Sequence, residues 1–225
     1  MQKIIVAIDG HAATGKSSQS KRLADALGYS YIDTGAMYRA VTYFALKQNP
    51  EGRIDPQRLL ARLNEIKIEF RYTSEGQQTF LNGEEISKAI READVTARVS
   101  QVAKIPEVRA FLVAQQQDMG VKKGIVMDGR DIGTVVFPEA ECKFFLTARP
   151  EVRAKRRHIE QLEQGNKQTF ESVLENLKER DYLDSNRTAS PLVKAEDAIE
   201  IDVSDASVDE VYEVLWSHIY EKIAL

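Results

Sequence analysis

The residues that point most directly to chemistry lie in the stretch GHAATGKSS, positions 10 to 18. Its spacing, Gly10 followed after four residues by Gly15-Lys16-Ser17, is that of a phosphate-binding loop. In such loops backbone N–H groups approach phosphate oxygens, the lysine reaches the β and γ phosphates and the serine hydroxyl binds Mg²⁺. The pattern predicts a nucleoside triphosphate donor. The residues predicted to hold it are Gly10, His11, Ala12, Ala13, Thr14, Gly15, Lys16, Ser17 and Ser18.

The segments on either side of the loop are those that the motif requires. The apolar run KIIVAID predicts a buried parallel strand before the loop. After it, Leu23 and Leu27 are spaced for one face of a helix that Gly28 can end. A glycine turn that merely joins a strand to a helix is the alternative interpretation, and the strand-loop-helix order favours the phosphate loop.

A group of arginines follows other predicted strands, where ligands of parallel sheets bind. Arg39 follows the second strand and Arg130 the third, while Arg153, Arg156 and Arg157 lie in the first turns of a helix that begins at Pro150. Guanidinium groups bind phosphate oxygens in a bidentate fork. A solvated surface is the alternative for any single arginine, but the set exceeds what a donor loop needs and predicts a second phosphorylated ligand.

The stretch ERDYLDSNR adds a further charged group. Arg180, Asp184 and Arg187 are spaced i, i+4, i+7, which predicts one face of a helix.

The chain has no Ser/His/Asp constellation and no protein-kinase catalytic-loop motif. A phosphate acceptor explains this, because a phosphate monoester is already an anionic nucleophile, and catalysis then needs charge neutralisation and alignment.

Five short apolar runs, linked by segments of helical pattern, predict an α/β fold around a parallel sheet of about five strands. Between the second and third runs the pattern changes: Ile68, Phe70 and Tyr72 alternate with polar residues and Asn82-Gly83 marks a hairpin. We therefore predict a P-loop NTPase three-layer fold with an inserted small antiparallel sheet. The predicted core is 1–35 with 101–225, including a lid at about 150–166, and the predicted acceptor-binding subdomain is 36–100.

Composition limits the other classes of function. The formal net charge is −4, which argues against a broad nucleic-acid surface. No apolar run approaches the roughly 20 residues of a membrane span and Met1 leads straight into a strand, so a cytoplasmic protein without membrane contact is expected. Cys142 is the only cysteine and is predicted to be a core thiol, and the three histidines lack metal-ligand spacing. A monomer is expected.

In chain order after the phosphate loop, DTGAMYR, SQVAKIPEVR, DGRDIGTVVFP and ERDYLDSNR resemble the bacterial cytidylate kinase family, over essentially the whole chain. The resemblance implies a nucleoside monophosphate kinase fold with a mobile lid, and a reaction of ATP with CMP or dCMP. By position it implies that Lys16, Arg130, Arg153, Arg156 and Arg157 are catalytic.

The resemblance also implies which residues bind the acceptor. Thr34, Arg39, Arg130 and Arg180 match its contacts to the acceptor phosphate and sugar. Ser100, Arg109 and Asp131 match its cytosine-reading residues, Asp184 with Arg180 its ribose clamp, and Arg187 a further arginine of the acceptor site. A carboxylate such as Asp131 can accept a hydrogen bond from the cytosine amine, which uracil lacks.

Several interpretations stay open. Family loops often begin Gly-Pro and carry Gly or Ala before the last glycine, whereas His11 and Thr14 stand here, and we expect these departures to affect only donor affinity and loop rigidity. Ser17 is the predicted direct ligand of Mg²⁺, and Asp9 and Asp128 either orient water on Mg²⁺ or only cap strand ends.

The rival classes of function are a P-loop ATPase or GTPase switch and a non-catalytic nucleotide-binding module. A GTPase would need Asn-Lys-x-Asp, but Thr169 stands where that sequence requires the aspartate, and Gly129 follows Asp128 where an ATPase usually has an acidic base. UMP, AMP or a small-molecule hydroxyl are the alternative acceptors.

Overall fold

The computed structural model describes residues 2–49, 52–73, 76–163, 165 and 167–224. The chain divides into two compact units, Met1–Ile32 with Met119–Leu225, and Asp33–Asp118. The second unit begins near the predicted start of the inserted subdomain and extends beyond its predicted end. Its assignment as the acceptor-binding subdomain, with the limits 36–100, stays a prediction, as does the lid.

The described residues form both strands and helices. The strands are β1 (Ile5–Gly10), β2 (Ser30–Asp33), β3 (Ile68–Thr73), β4 (Gly76–Leu81), β5 (Glu84–Glu85), β6 (Ile125–Gly129), β7 (Cys142–Thr147) and β8 (Ile199–Asp202). The helices are α1 (Lys16–Leu27), α2 (Thr34–Lys47), α3 (Pro56–Ala61), α4 (Ala93–Ala103), α5 (Pro106–Gly120), α6 (Pro150–Glu163), α7 (Phe170–Asn186) and α8 (Val208–Ile223). A short π-helical turn, Ile132–Val136, lies between β6 and β7.

A five-stranded parallel sheet with the order β2-β6-β1-β7-β8 organises the first unit. In the registers, Ile8 of β1 faces Asp128 of β6 and Phe144 of β7. Every residue of β1 is buried, which explains its continuous apolar run. The predicted α/β fold with a five-stranded parallel sheet is confirmed.

Helices on the sheet bury the apolar stripes that the sequence predicts. Leu23 of α1 and Leu215 of α8 join Val6, Ile8 and Phe144 in one core cluster. Burying each of these large side chains contributes about 1.5–3 kcal/mol relative to leaving it in water. This packing holds β1 in place, and with it the end of the strand from which the loop at Gly10 begins.

The helix ends follow local capping rules. Gly28 ends α1 in the left-handed conformation. The spacing Ser207-x-x-Glu210 predicts a capping box, and one is present at the start of α8. The helical spacing of Val208, Val211, Tyr212, Leu215 and Ile219 predicts a buried stripe, but Val208 is instead 60% exposed. It is the first residue of that helix, one turn before Val211 turns toward the core.

The second unit has its own core and a three-stranded antiparallel sheet in the order β3-β4-β5. In α2, Met37, Val41 and Phe44 are buried at the predicted helical spacing. Asn82 and Gly83 both have positive φ, 51° and 86°, as the predicted hairpin between β4 and β5 requires. The period-2 pattern therefore correctly predicted this small sheet.

Among the helices of the described residues, none combines the length and the apolar character that a bilayer span requires.

Candidate active site

The loop from Gly10 to Gly15 leaves the end of β1 and leads directly into α1 at Lys16. Gly10 has a φ of 142°, and a Cβ there would lie 2.1 Å from the carbonyl oxygen of Leu146 on the neighbouring strand. Gly15 has a φ of 85° at the N-cap of α1. Both glycines are therefore required by the backbone, and the loop presents the N-terminus of α1, where anions bind well.

Lys16 is buried within the loop itself. Its Nζ donates to the carbonyl oxygen of His11 at 2.5 Å and to Oγ1 of Thr14 at 3.3 Å. Burial, followed by the positive charge of Arg130, lowers the pKa of Lys16 to about 7. A lysine held among cations in this way is stabilised by an anion placed beside it, as a phosphate group would be.

Ser17, at the start of α1, is joined to the end of β6. Its hydroxyl donates to Oδ2 of Asp128 at 2.9 Å, and the phenol of Tyr31 donates to Oδ1 of the same carboxylate at 2.8 Å. One hydroxyl and one carboxylate side by side suit Mg²⁺, which in nucleotide sites is bound through one or two such groups together with phosphates and water. The donor set fits the predicted magnesium site.

Asp9 occupies a different environment, although β1 and β6 are adjacent as predicted. Its two carboxylate oxygens accept hydrogen bonds from the backbone N–H groups of Ile132 and Gly133, at 2.8 Å and 2.7 Å. Burial raises the pKa of Asp9 to about 6, against the effect of these two hydrogen bonds. The geometry favours the interpretation that Asp9 caps the π-helical turn, and its contribution to a magnesium site stays a prediction.

Arginines and aspartates meet after β6 and along α7. Arg130 Nε donates to Oδ2 of Asp184 at 2.9 Å. Burial raises the pKa of the Asp184 carboxyl, but the nearby charges of Arg130, Arg180 and Arg187 outweigh this effect and lower the pKa below its usual value. Since Arg130 and Arg180 also act on Lys16, these cations lie within electrostatic range of the phosphate loop.

The prediction that Arg180, Asp184 and Arg187 share one helical face is wrong for Arg187. Helix α7 ends at Asn186, and Arg187 has an extended backbone with its Nε donating to the carbonyl oxygen of Ser190. The N–H of Leu192 bonds to the carbonyl of Asp184, so the chain folds back on the last helical turn. Arg187 nevertheless lies close to the predicted base-reading residue, with Nη2 3.7 Å from Oδ1 of Asp131.

The arginines predicted for the lid helix differ in environment. Arg153 is 3% exposed and pairs with Asp181 of α7, with Nη2 2.6 Å from Oδ2. Arg156 donates to the carbonyl oxygen of Val203 at 2.7 Å, and Arg157 pairs with Glu160 at 3.0 Å. Arg153 and Arg157 are like charges at i, i+4, a spacing that predicts repulsion, which is offset here because each guanidinium has its own carboxylate.

The other predicted acceptor residues belong to the second unit. Thr34 is buried in the first turn of α2, and Arg39 Nη2 lies 3.0 Å from Oδ2 of Asp33. The guanidinium of Arg109 is buried, 5.4 Å from the ring centre of Tyr38. Ser100 is half-buried on α4. The roles of these residues stay predictions.

Sequence reasoning missed two side chains at the phosphate loop, Tyr31 and Asp181. Their partners, Asp128 and His11, lie far away in the chain, and no local pattern connects them. Cys142 is a buried thiol as predicted, and burial raises its pKa to about 11.

The parallel sheet, the glycine loop at the end of its central strand and the cations beside that loop define a P-loop phosphotransferase. A family model described as cytidylate kinase matches residues 6–221. The chain belongs to the cytidylate kinase family.

Individual relatives agree with this assignment. A cytidylate kinase of Parabacteroides distasonis is 52% identical over 214 residues, covering 93% of each chain. A cytidylate kinase of Anoxybacillus flavithermus is 50% identical over 222 residues, covering 99% of this chain and 98% of its own. An uncharacterized protein from Eubacterium ventriosum shares the fold, with a TM-score of 0.53 at 14% identity and coverage of 98% of this chain and 99% of its own.

Proposed function

We propose that the protein transfers the γ-phosphoryl group of ATP to the phosphate of CMP or dCMP, giving ADP and CDP or dCDP. The observation that carries this proposal is the set of cations beside the phosphate loop, where Arg130 and Arg180 act electrostatically on Lys16. One triphosphate accounts for Lys16. The arginines suit a second phosphate, and the relatives named above are cytidylate kinases.

In the proposed reaction an oxygen of the acceptor phosphate attacks the γ phosphorus in line with the bond that breaks. That bond joins the γ phosphorus to the oxygen bridging it to the β phosphorus, and the oxygen leaves on ADP. The acceptor is anionic near neutral pH, so no side chain has to remove a proton. The protein's contribution is alignment and stabilisation of negative charge by Lys16, Arg130, Arg153, Arg156 and Arg157.

Mg²⁺ is proposed as the cofactor. Ser17 would bind it directly and Asp128 through water, a pairing supported by the 2.9 Å hydrogen bond between the two side chains. When bound with ATP, the ion neutralises charge on the β and γ phosphates. Tyr31 holds the second oxygen of Asp128, so the carboxylate is oriented before nucleotide arrives.

For the acceptor, we propose that Thr34, Arg39, Arg130 and Arg180 bind the phosphate and sugar. Asp184 with Arg180 is the proposed ribose clamp, and Arg187 is a further arginine of the acceptor site. Asp131, Ser100 and Arg109 are proposed to read cytosine. The 3.7 Å distance between Arg187 Nη2 and Oδ1 of Asp131 supports a shared acceptor site for these two residues.

We propose that the enzyme acts as a monomer. We also propose that the enzyme works in the cytoplasm, where ATP and nucleoside monophosphates are available.

A coupled assay of ADP release tests the function. Purified protein is given ATP and Mg²⁺ with CMP, dCMP, UMP, AMP or no acceptor, and the diphosphate product is identified by chromatography. We expect CMP and dCMP to give the highest kcat/KM, with little ADP released when no acceptor is present. Equal ADP release with and without CMP, and no CDP formed, would refute the proposal in favour of an ATPase.

A further inference from the structure

Asp181 of α7 lies between the phosphate loop and helix α6. Its Oδ1 is 3.2 Å from Nδ1 of His11 in the loop, and its Oδ2 is 2.6 Å from Nη2 of Arg153 on α6. The two oxygens of one carboxylate therefore contact two different elements. Neither the chemistry of the reaction nor the proposed binding of CMP requires Asp181 itself.

Arg153 extends this connection back to the loop. Besides contacting Asp181, its Nε donates to the carbonyl oxygen of Ala148 at 2.9 Å, and its Nη1 to that of Ala12 at 3.4 Å. The guanidinium is 3% exposed, and a buried cation of this kind needs a paired carboxylate to stay where it is. Asp181 supplies that carboxylate. The contact of Arg153 with the loop at Ala12 therefore depends on Asp181.

The loop is held on the same side by apolar contacts and is strained at its tip. Ala12 packs against the cluster of Ala154, Val173 and Leu177 that joins α6 to α7. Ala13 has a φ of 60°, a conformation that residues other than glycine adopt at a cost. An unfavourable backbone conformation persists where its surroundings hold it.

The carbonyl oxygen of His11 is also the acceptor for two groups of the loop, Nζ of Lys16 and the hydroxyl of Thr14. A shift of His11 would therefore move the lysine that is proposed to meet the β and γ phosphates. The His11 ring also lies against Asp181 outside the loop, with Nδ1 3.2 Å from Oδ1.

We propose that Asp181 is a positioning residue of the donor site: through His11 and Arg153 it holds the phosphate loop in its nucleotide-binding shape before nucleotide arrives. This inference rests on one part of the proposed function, namely that the phosphate loop binds an adenine nucleotide. It assigns Asp181 no contact with the nucleotide.

Titration calorimetry with MgADP, in the absence of CMP, tests the proposal on Asp181→Asn. We expect Kd for MgADP to rise about tenfold, because the loop must then be ordered by the ligand itself. In steady-state assays KM for ATP should rise similarly, while KM for CMP stays within about twofold of the wild-type value. A purely structural role would lower the folded fraction and leave both constants of the folded enzyme unchanged.

His11→Ala provides a second variant that breaks only the loop side of the contact. We expect Kd for MgADP to rise about threefold. The double variant should bind MgADP no more weakly than Asp181→Asn alone, because both changes remove the same contact.

Asp209→Asn is the matched control. It also removes a carboxylate from an arginine, Arg22, at 2.5 Å, but on an exposed surface. Its Kd should equal that of the wild type.

Unchanged Kd for MgADP in both Asp181→Asn and His11→Ala would overturn the proposal, and so would strictly additive effects in the double variant. These results are distinguishable from failure of the proposed function. An enzyme that binds MgADP normally but does not phosphorylate CMP would refute only the function, whereas an active enzyme with unaffected variants would refute only the role of Asp181.

Discussion

At the scale of single residues, three buried carboxylates, on β1, β6 and α7, differ by what their oxygens contact. Asp128 accepts from two hydroxyls, Asp9 from two backbone N–H groups, and Asp184 from a guanidinium. The first arrangement leaves a carboxylate suited to a hydrated cation, the second secures a turn and the third neutralises charge. Residue type alone does not separate these roles, because the partners decide them.

Asp131 carries the prediction on base selectivity. Asp131→Asn should reduce the preference for CMP over UMP by about tenfold, because a charged acceptor for the cytosine amine becomes an amide that can also donate to a uracil carbonyl. The measurement is kcat/KM for both nucleotides with saturating MgATP.

Asp118→Asn, on an exposed part of α5, is the control and should leave the ratio of the two kcat/KM values unchanged. If the ratio for Asp131→Asn also equals that of the wild type, Asp131 does not read the base.

The sequence predicted those parts of the site that depend on local pattern. The phosphate loop, its flanking strand and helix and the arginines after the strands could be located because spacing and turn chemistry act over a few residues. The contacts of Asp181 with His11, of Tyr31 with Asp128 and of Asp9 with the π-helical turn could not, because each joins distant segments that only the folded sheet brings together. The end of α7 before Arg187 depends in the same way on a later segment, at Leu192.

At the scale of secondary-structure elements, the parallel pairing of β1 with β7 determines how the phosphate loop starts. A Cβ at Gly10 would meet the carbonyl oxygen of Leu146 at 2.1 Å, and backbone cannot yield as a flexible side chain can. Gly10→Ala should therefore lower the free energy of unfolding by about 3 kcal/mol, the sum of left-handed strain and overpacking. Urea unfolding followed by circular dichroism measures this.

Gly28→Ala is the matched control, since Gly28 also has positive φ, 65°, but open space around its Cβ position. It should cost only the strain, about 1–2 kcal/mol. Equal losses for the two variants would mean that β7 moves aside freely and that the close approach does not fix the loop.

At the scale of the whole molecule, cations gather near the phosphate loop of a chain whose net charge is negative. The net charge is −4, yet Arg130 and Arg180 both act electrostatically on Lys16. Anionic nucleotides are therefore attracted by a local field and not by the protein's average charge. Salt should screen that field, since the Debye length falls from about 10 Å at 0.1 M to about 3 Å at 1 M.

We expect KM for CMP to rise about fivefold between 0.05 and 0.5 M NaCl, with a smaller change in kcat. Initial rates at saturating MgATP measure both constants, and sucrose at matched osmolality serves as the uncharged control. A KM that does not depend on salt would mean that these cations are already neutralised by their aspartates and contribute nothing to attraction.

The strand order has a consequence for synthesis of the chain. β1 and β2 follow each other closely in sequence, but β6 separates them in the sheet, and β7 borders β1 on the other side. On the ribosome, the first two strands therefore emerge long before either can pair, and β1 has both neighbours only once Thr147 has left the exit tunnel. The nascent amino-terminal segment must be kept from aggregating until then, while the segment Asp33–Asp118 can fold ahead of it.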